Sequence, residues 1–118
     1  MFGKDIEPND VMSLWLHNIA LGDYLMVKHI VMWKLKNKAD SEIIRDKLND
    51  LMGNIPGLLN IEVGIDFSNN DAAFHMVLVA TLESREALEA YRIHPKHQAI
   101  IPLVQTAAID RAVVDYDM

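Results

Sequence analysis

Tyr91, His94 and His97 lie within YRIHPKHQ, residues 91–98, around Pro95. A neutral imidazole can take a proton, and a phenol can donate a hydrogen bond to a carbonyl or to the enolate oxygen forming from it. A His–Tyr pair is therefore sufficient for proton abstraction beside a carbonyl. His97 is the candidate base of this segment and Tyr91 the candidate donor. Pro95 disfavours helical backbone at His94 and suits the first turn of a following helix, so His97 falls in that turn. The positive end of the helix dipole disfavours an imidazolium there, which favours neutral His97. The same residues also read as a plain joint between helices, with His94 in a cap-like place and Tyr91 burying its ring. Spacing alone favours the joint.

Three more residues bear on that choice. His29 and His75 open two strands that read as central. If their faces meet the helices, both border one pocket with the Tyr91/His97 joint, toward its opposite ends, as substrate-binding residues. Asp115, late in the last strand, neighbours the start of the first and can orient His29 or His97. Each also has a plainer reading, as a hydrogen-bonded core histidine or a solvated strand end.

Other chemistries lack their residues. The chain has no cysteine, so disulfide, thiolate metal site and Cys nucleophile are excluded. His94 and His97 are three apart, but the proline between them spoils helical ligand geometry. No HExxH, GxGxxG or nucleophile-elbow serine is present. The expectation is no metal and no cofactor, with the methionines serving as packing.

The elements that must position these residues follow from hydrophobic period. VKHIVMWKL, 27–35, reads as a strand with Val27, His29, Val31, Trp33 and Leu35 on one face and Ile30 and Met32 on the other. DSEIIRDKLNDLMGN, 40–54, reads as a helix capped by Asp40 or Ser41, with a stripe of Ile44, Leu48, Leu51, Met52 and Ile55. LNIEVGIDF, 59–67, alternates as an edge strand with Leu59, Ile61, Val63, Ile65 and Phe67 inward. FHMVLVATL, 74–82, is apolar on both faces and central. A short helix, 84–93, starts at the capping residue Ser84. A second helix, 95–107, is kinked or split by Pro102, and the last strand is 109–116.

The order is βαββαβ, an α+β chain. It predicts a ferredoxin-like fold, a four-stranded antiparallel sheet with helices on one face. The 118 residues allow one domain of modest core. The second apolar face of the central strands then lacks cover, and the 51% hydrophobic composition agrees. The expected partner is a second copy, giving a homodimer through the sheets. A net charge of −6 without a basic cluster argues against nucleic acid and anionic membrane. No apolar run approaches a membrane span, and the expectation is a soluble cytoplasmic protein. Residues 1–25 read either as an N-terminal helix or as a leader upstream of Met26, with no chemistry placed on His17.

MVKHIVMWKLK, IPGLLNIEVGID, FHMVLVATLESREALEAY and YRIHPKHQ together resemble the stress-responsive A/B barrel (Dabb) family over residues 26–118. The Y-x-x-HP-x-H segment after the third strand is the most specific part. The resemblance implies a dimeric α+β barrel. It also implies that Tyr91 and His97 match the Tyr and His with which a plant polyketide cyclase of the family performs cofactor-free aldol cyclisation. His29, His75 and the Asp115-Tyr116 pair match further positions of that cyclase, whereas the apolar pocket residues differ. The expectation is a cofactor-independent enzyme that abstracts a proton next to the carbonyl of a small hydrophobic or aromatic compound. The alternatives are a non-catalytic stress-responsive or ligand-binding dimer, and a cofactor-free monooxygenase or isomerase.

Overall fold

The structure, a computed structural model, describes residues 25–118. The expected N-terminal extension, apart from Leu25, lies outside the described residues. The elements are β1 (Val27–Leu35), α1 (Asp40–Asn49), β2 (Leu58–Ile65), β3 (Met76–Leu82), α2 (Arg85–Ile93), α3 (Pro95–Gln98), α4 (Ile101–Ala107) and β4 (Ala108–Asp117). The sheet order is β2-β3-β1-β4 and every pairing is antiparallel. The two strands with apolar residues on both faces are thus the central ones, and the fold is the ferredoxin-like α+β fold.

Val27, Val31, Trp33 and Leu35 of β1 and Met76, Leu78, Ala80 and Leu82 of β3 are buried in one cluster with Ile44, Leu48, Ala87, Leu88 and Tyr91 of the helices. His29 shares that inward face and is buried. The opposite face aligns Ile30 and Met32 with Val77 and Val79 on one side and Ala112 and Val114 on the other. Met32 and Val114 there remain 37% and 51% exposed, so the outer face is apolar and uncovered by the described elements.

Several boundaries differ from the sequence reading. α1 ends at Asn49 rather than Asn54. Gly53 there has a positive φ of 80°, and Asn54 Nδ2 donates to the Asp50 carbonyl at 2.7 Å. The chain therefore coils tightly instead of extending the helix, which turns Met52 outward (39% exposed) while Leu51 and Ile55 stay buried. Neither Asp40 nor Ser41 caps α1. Ala39 stands at the N-cap, and Ser41 Oγ donates to the Lys38 carbonyl at 2.6 Å.

In β2 a register shift between Leu58 and Asn60 puts Leu58 inward and Leu59 outward. Ile61 and Val63 pack on the core as expected. Phe67 lies beyond the strand end and is 93% exposed. The expected helix over 95–107 is split into α3 and α4 at Ala99–Ile100, just ahead of Pro102, which lacks the N–H a continuous helix would need. Ser84 caps α2 as its type suggested, accepting from the Ala87 N–H at 3.0 Å.

Candidate functional site

The site grows from the break between α2 and α3. A continuous helix would give the Tyr91 and Arg92 carbonyls the N–H groups of residues 95 and 96. Pro95 has no N–H, and the Lys96 N–H is taken by His94 Nδ1 at 3.1 Å. The Tyr91 carbonyl instead accepts from the His94 N–H at 3.2 Å. The Arg92 carbonyl accepts from Gln98 Nε2 at 2.6 Å and from His97 Nδ1 at 3.0 Å. A carbonyl can only accept, so His97 carries its proton on Nδ1, and in the neutral ring Nε2 is a bare lone pair. His94 is therefore a cap, and the broken helix end sets the His97 tautomer.

Burial lowers the His97 pKa below its ordinary value and outweighs the Arg92 carbonyl bond, which acts to raise it. The charges of Arg92 and Arg111 lower it further. Burial thus takes first place where the sequence pointed to the helix dipole.

Tyr91 is fully buried, with its ring centroid 4.4 Å from that of His97 and 5.9 Å from that of His29. It wedges between the two imidazoles, tilted against one and edge-on to the other. Its hydroxyl has no hydrogen-bond partner among the described residues. Burial pushes its pKa up to about 12, so it stays a protonated donor at neutral pH.

His29 is held from the other side. Its Nδ1 lies 2.5 Å from Asp115 Oδ1, across the β1–β4 ladder that pairs the two residues. Asp115 Oδ2 accepts from Arg92 Nη2 at 2.7 Å. The carboxylate thus bridges the α2 guanidinium and the β1 imidazole, fixing the ring orientation. Burial lowers the His29 pKa, and this outweighs the Asp115 carboxylate, which acts to raise it. Of the two histidines offered by the sequence, Asp115 orients His29.

A cavity of about 310 Å³ opens beside these groups, between the sheet and α4. His29 and His97 line one part of it. Val31, Leu78, Ile100 and Val104 form much of its apolar wall, and Trp33 and Arg111 also line it. Tyr91 is not among its lining residues and sits behind the two histidines.

His75 stands apart. It precedes β3, its Nδ1 accepts from the Leu35 N–H at 2.8 Å, and it does not line the cavity. The structure therefore brings together Tyr91, His97, His29 and Asp115 but leaves His75 at the far end of β1. Sequence reasoning missed Arg92 and Arg111. Arg111 is placed by alternation with Asp115 along β4, a signal that the 109–116 strand already carried. Arg92 could be read only from the helix break. Among the described residues no three His, Cys, Asp or Glu side chains come together as a metal site. Among them, too, no helix is long and apolar enough to cross a membrane.

An antiparallel sheet of order β2-β3-β1-β4 with helices on one face defines a ferredoxin-like α+β protein. Residues 27–118 match the Stress responsive A/B Barrel Domain, Dabb. The chain belongs to that family. A stress-response A/B barrel domain-containing protein of Arabidopsis thaliana is 32% identical over 79 residues, which cover 64% of this chain and 30% of that protein. The chain thus spans under a third of that curated relative. A solved dimeric protein of ferredoxin-like fold from Bacteroides fragilis is 26% identical, with a TM-score of 0.66, covering 79% of this chain and 96% of that one. The hydroxynitrile lyase of Passiflora edulis shares the fold at 18% identity and a TM-score of 0.70, over 80% of this chain and 94% of that one.

Proposed function

We propose that this chain is a cofactor-independent enzyme that removes a proton next to a carbonyl of a small hydrophobic or aromatic compound. The observation that carries this reading is His97. Its Nδ1–H is fixed on the Arg92 carbonyl, its ring lines the cavity, and burial keeps it neutral. Nε2 takes the proton and becomes the N–H of an imidazolium, while the electron pair of the broken C–H bond moves into the enolate. Tyr91, packed against both imidazoles, offers its otherwise unpartnered hydroxyl to the developing oxygen once those rings shift to open it to the cavity. His29, its proton held on Nδ1 by Asp115, turns a bare Nε2 to the neighbouring wall, where it accepts a hydrogen bond from a substrate hydroxyl or a bound water. His75 supports the end of β1. The fold shared with a hydroxynitrile lyase supports a catalytic reading.

A second reading, ligand binding without turnover, is favoured by the place of Tyr91 behind the cavity wall rather than on it. Deuterium exchange separates the two. The chain is incubated in D2O with a panel of ketones and β-dicarbonyl compounds, with and without oxygen, and exchange beside the carbonyl is followed by NMR. The enzymatic reading expects exchange that His97→Gln abolishes and Tyr91→Phe reduces by about 10²-fold or more. Binding without His97-dependent exchange would leave the ligand-binding reading. Oxygen-dependent product would point to the monooxygenase alternative.

We further propose that the working unit is a homodimer through the outer sheet faces. The uncovered stripe of Ile30, Met32, Val77, Val79, Ala112 and Val114 supports this, as does the dimeric Bacteroides relative. The lack of cysteine suits a reducing compartment, and we assign the protein to the cytoplasm.

A further inference from the structure

Four residues along β1 from His29, the same inward face carries Trp33. That places it about 13 Å away at the usual strand rise. Trp33 pairs with Arg111 across the β1–β4 ladder, and both side chains line the cavity. Trp33 is 5% exposed, and its Nε1–H has no acceptor among the described residues. A buried N–H without an acceptor is costly to keep. Arg111 has no side-chain ion pair or hydrogen bond among the described residues either, in a chain whose acidic residues outnumber its basic ones by 17 to 11. Gln105 of α4 lines the cavity as well. Between this end and the histidines the wall is apolar.

We propose that this cavity takes an amphipathic carboxylate, with its anionic group on Arg111 and the Trp33 N–H and its apolar body along Val31, Leu78 and Val104. The geometry suits the chemistry. A guanidinium donates two parallel hydrogen bonds to a carboxylate, and the indole N–H supplies a third donor without adding charge. A volume of about 310 Å³ fits a small ligand rather than a polymer. The proposal names the ligand class of the same cavity and rests on that cavity being the functional site. It also gives the ligand a direction, with the carboxylate at the Trp33 end and the distal atoms near His97. Arg111 depresses the protonation of both His29 and His97. A bound carboxylate would offset that charge and make His97 the stronger base.

The test is calorimetric titration of the full chain at low salt with 2-naphthoate and, as its uncharged counterpart, 2-naphthamide. The expected result is tighter binding of the naphthoate by about tenfold or more, falling as salt is added. R111L should abolish the preference while leaving the naphthamide affinity nearly unchanged. R111K, which keeps the charge but not the fork, should restore part of it. W33F should weaken the naphthoate severalfold more than the naphthamide. Circular dichroism on each variant confirms that the fold is kept. Equal binding of the two probes, a preference that survives R111L, or no binding of either would overturn the proposal. Turnover plays no part in these titrations. Loss of the anion preference with His97-dependent exchange intact would sink the ligand class alone, and the converse result would sink the reaction alone.

Discussion

Tyr91 buries a hydroxyl that has no partner among the described residues, while His29 and His97 each have one ring nitrogen engaged. An unpaired buried hydroxyl costs about 1–3 kcal/mol. Tyr91→Phe is therefore expected to leave stability unchanged or raise it by up to about 1 kcal/mol in urea unfolding, while lowering exchange activity. A clear loss of stability would mean that the hydroxyl has a structural partner instead. The two depressed histidines also set a pH dependence. Both titrate in the fold below their ordinary value of 6.5, so as pH falls past 6.5 the unfolded chain takes up protons first. Stability should be flat above 6.5, fall as pH drops below it, and level off below the folded-state values. Thermal unfolding between about pH 8 and about pH 4.5 reads this directly, and His97→Gln should flatten the slope. The activity profile should have the same acid limb. No alkaline limb from Tyr91 is expected until near its pKa of about 12.

At the scale of elements, the joint at Pro95 does two jobs. It ends α2, and it frees the Arg92 carbonyl to hold His97. Pro95→Ala should let α2 run into α3, raising helix content by circular dichroism. The Lys96 N–H would then compete for the Arg92 carbonyl, releasing the His97 ring and lowering activity. Gly57→Ala is expected to cost about 2 kcal/mol or more, because Gly57 has a φ of +83° and an added Cβ would sit 2.7 Å from that of Ala87. Much at this scale was legible in the sequence. The proline fixed the break, Ser84 announced its cap, and two-faced apolar strands identified β1 and β3 as central. Other features depended on facts that no local pattern carries. The shift at Leu58–Asn60 exchanges Leu58 for Leu59, and a period-2 pattern reads either residue as inward. Antiparallel strands already set His29 and His75 at opposite ends, but that His75 spends its Nδ1 on the Leu35 N–H and leaves the cavity wall is a matter of tertiary contact. The pairing of Trp33 with Arg111 joins residues far apart in the chain, and only cross-strand register reveals it.

At the scale of the molecule, one sheet face is covered by helices and the other presents an apolar stripe that none of the described elements covers. A charge there would be excluded from a sheet-to-sheet interface. Val114→Glu, at a position half exposed within the chain, is expected to preserve the monomer fold and shift a dimer to monomer in sedimentation velocity. A dimer that withstands the substitution would place the interface elsewhere. The site faces the helices, so a folded monomer should retain the cavity and its histidines.

The proposed chemistry turns most on the state of His97, and nitrogen-detected NMR of labelled imidazoles measures that state directly. We expect a neutral ring at neutral pH with its proton on Nδ1, titrating below 6.5. A ring protonated on Nε2 in its neutral form would contradict that chemistry, because no bare lone pair would then stand ready at the cavity, and one titrating at or above 6.5 would contradict the burial that keeps it neutral.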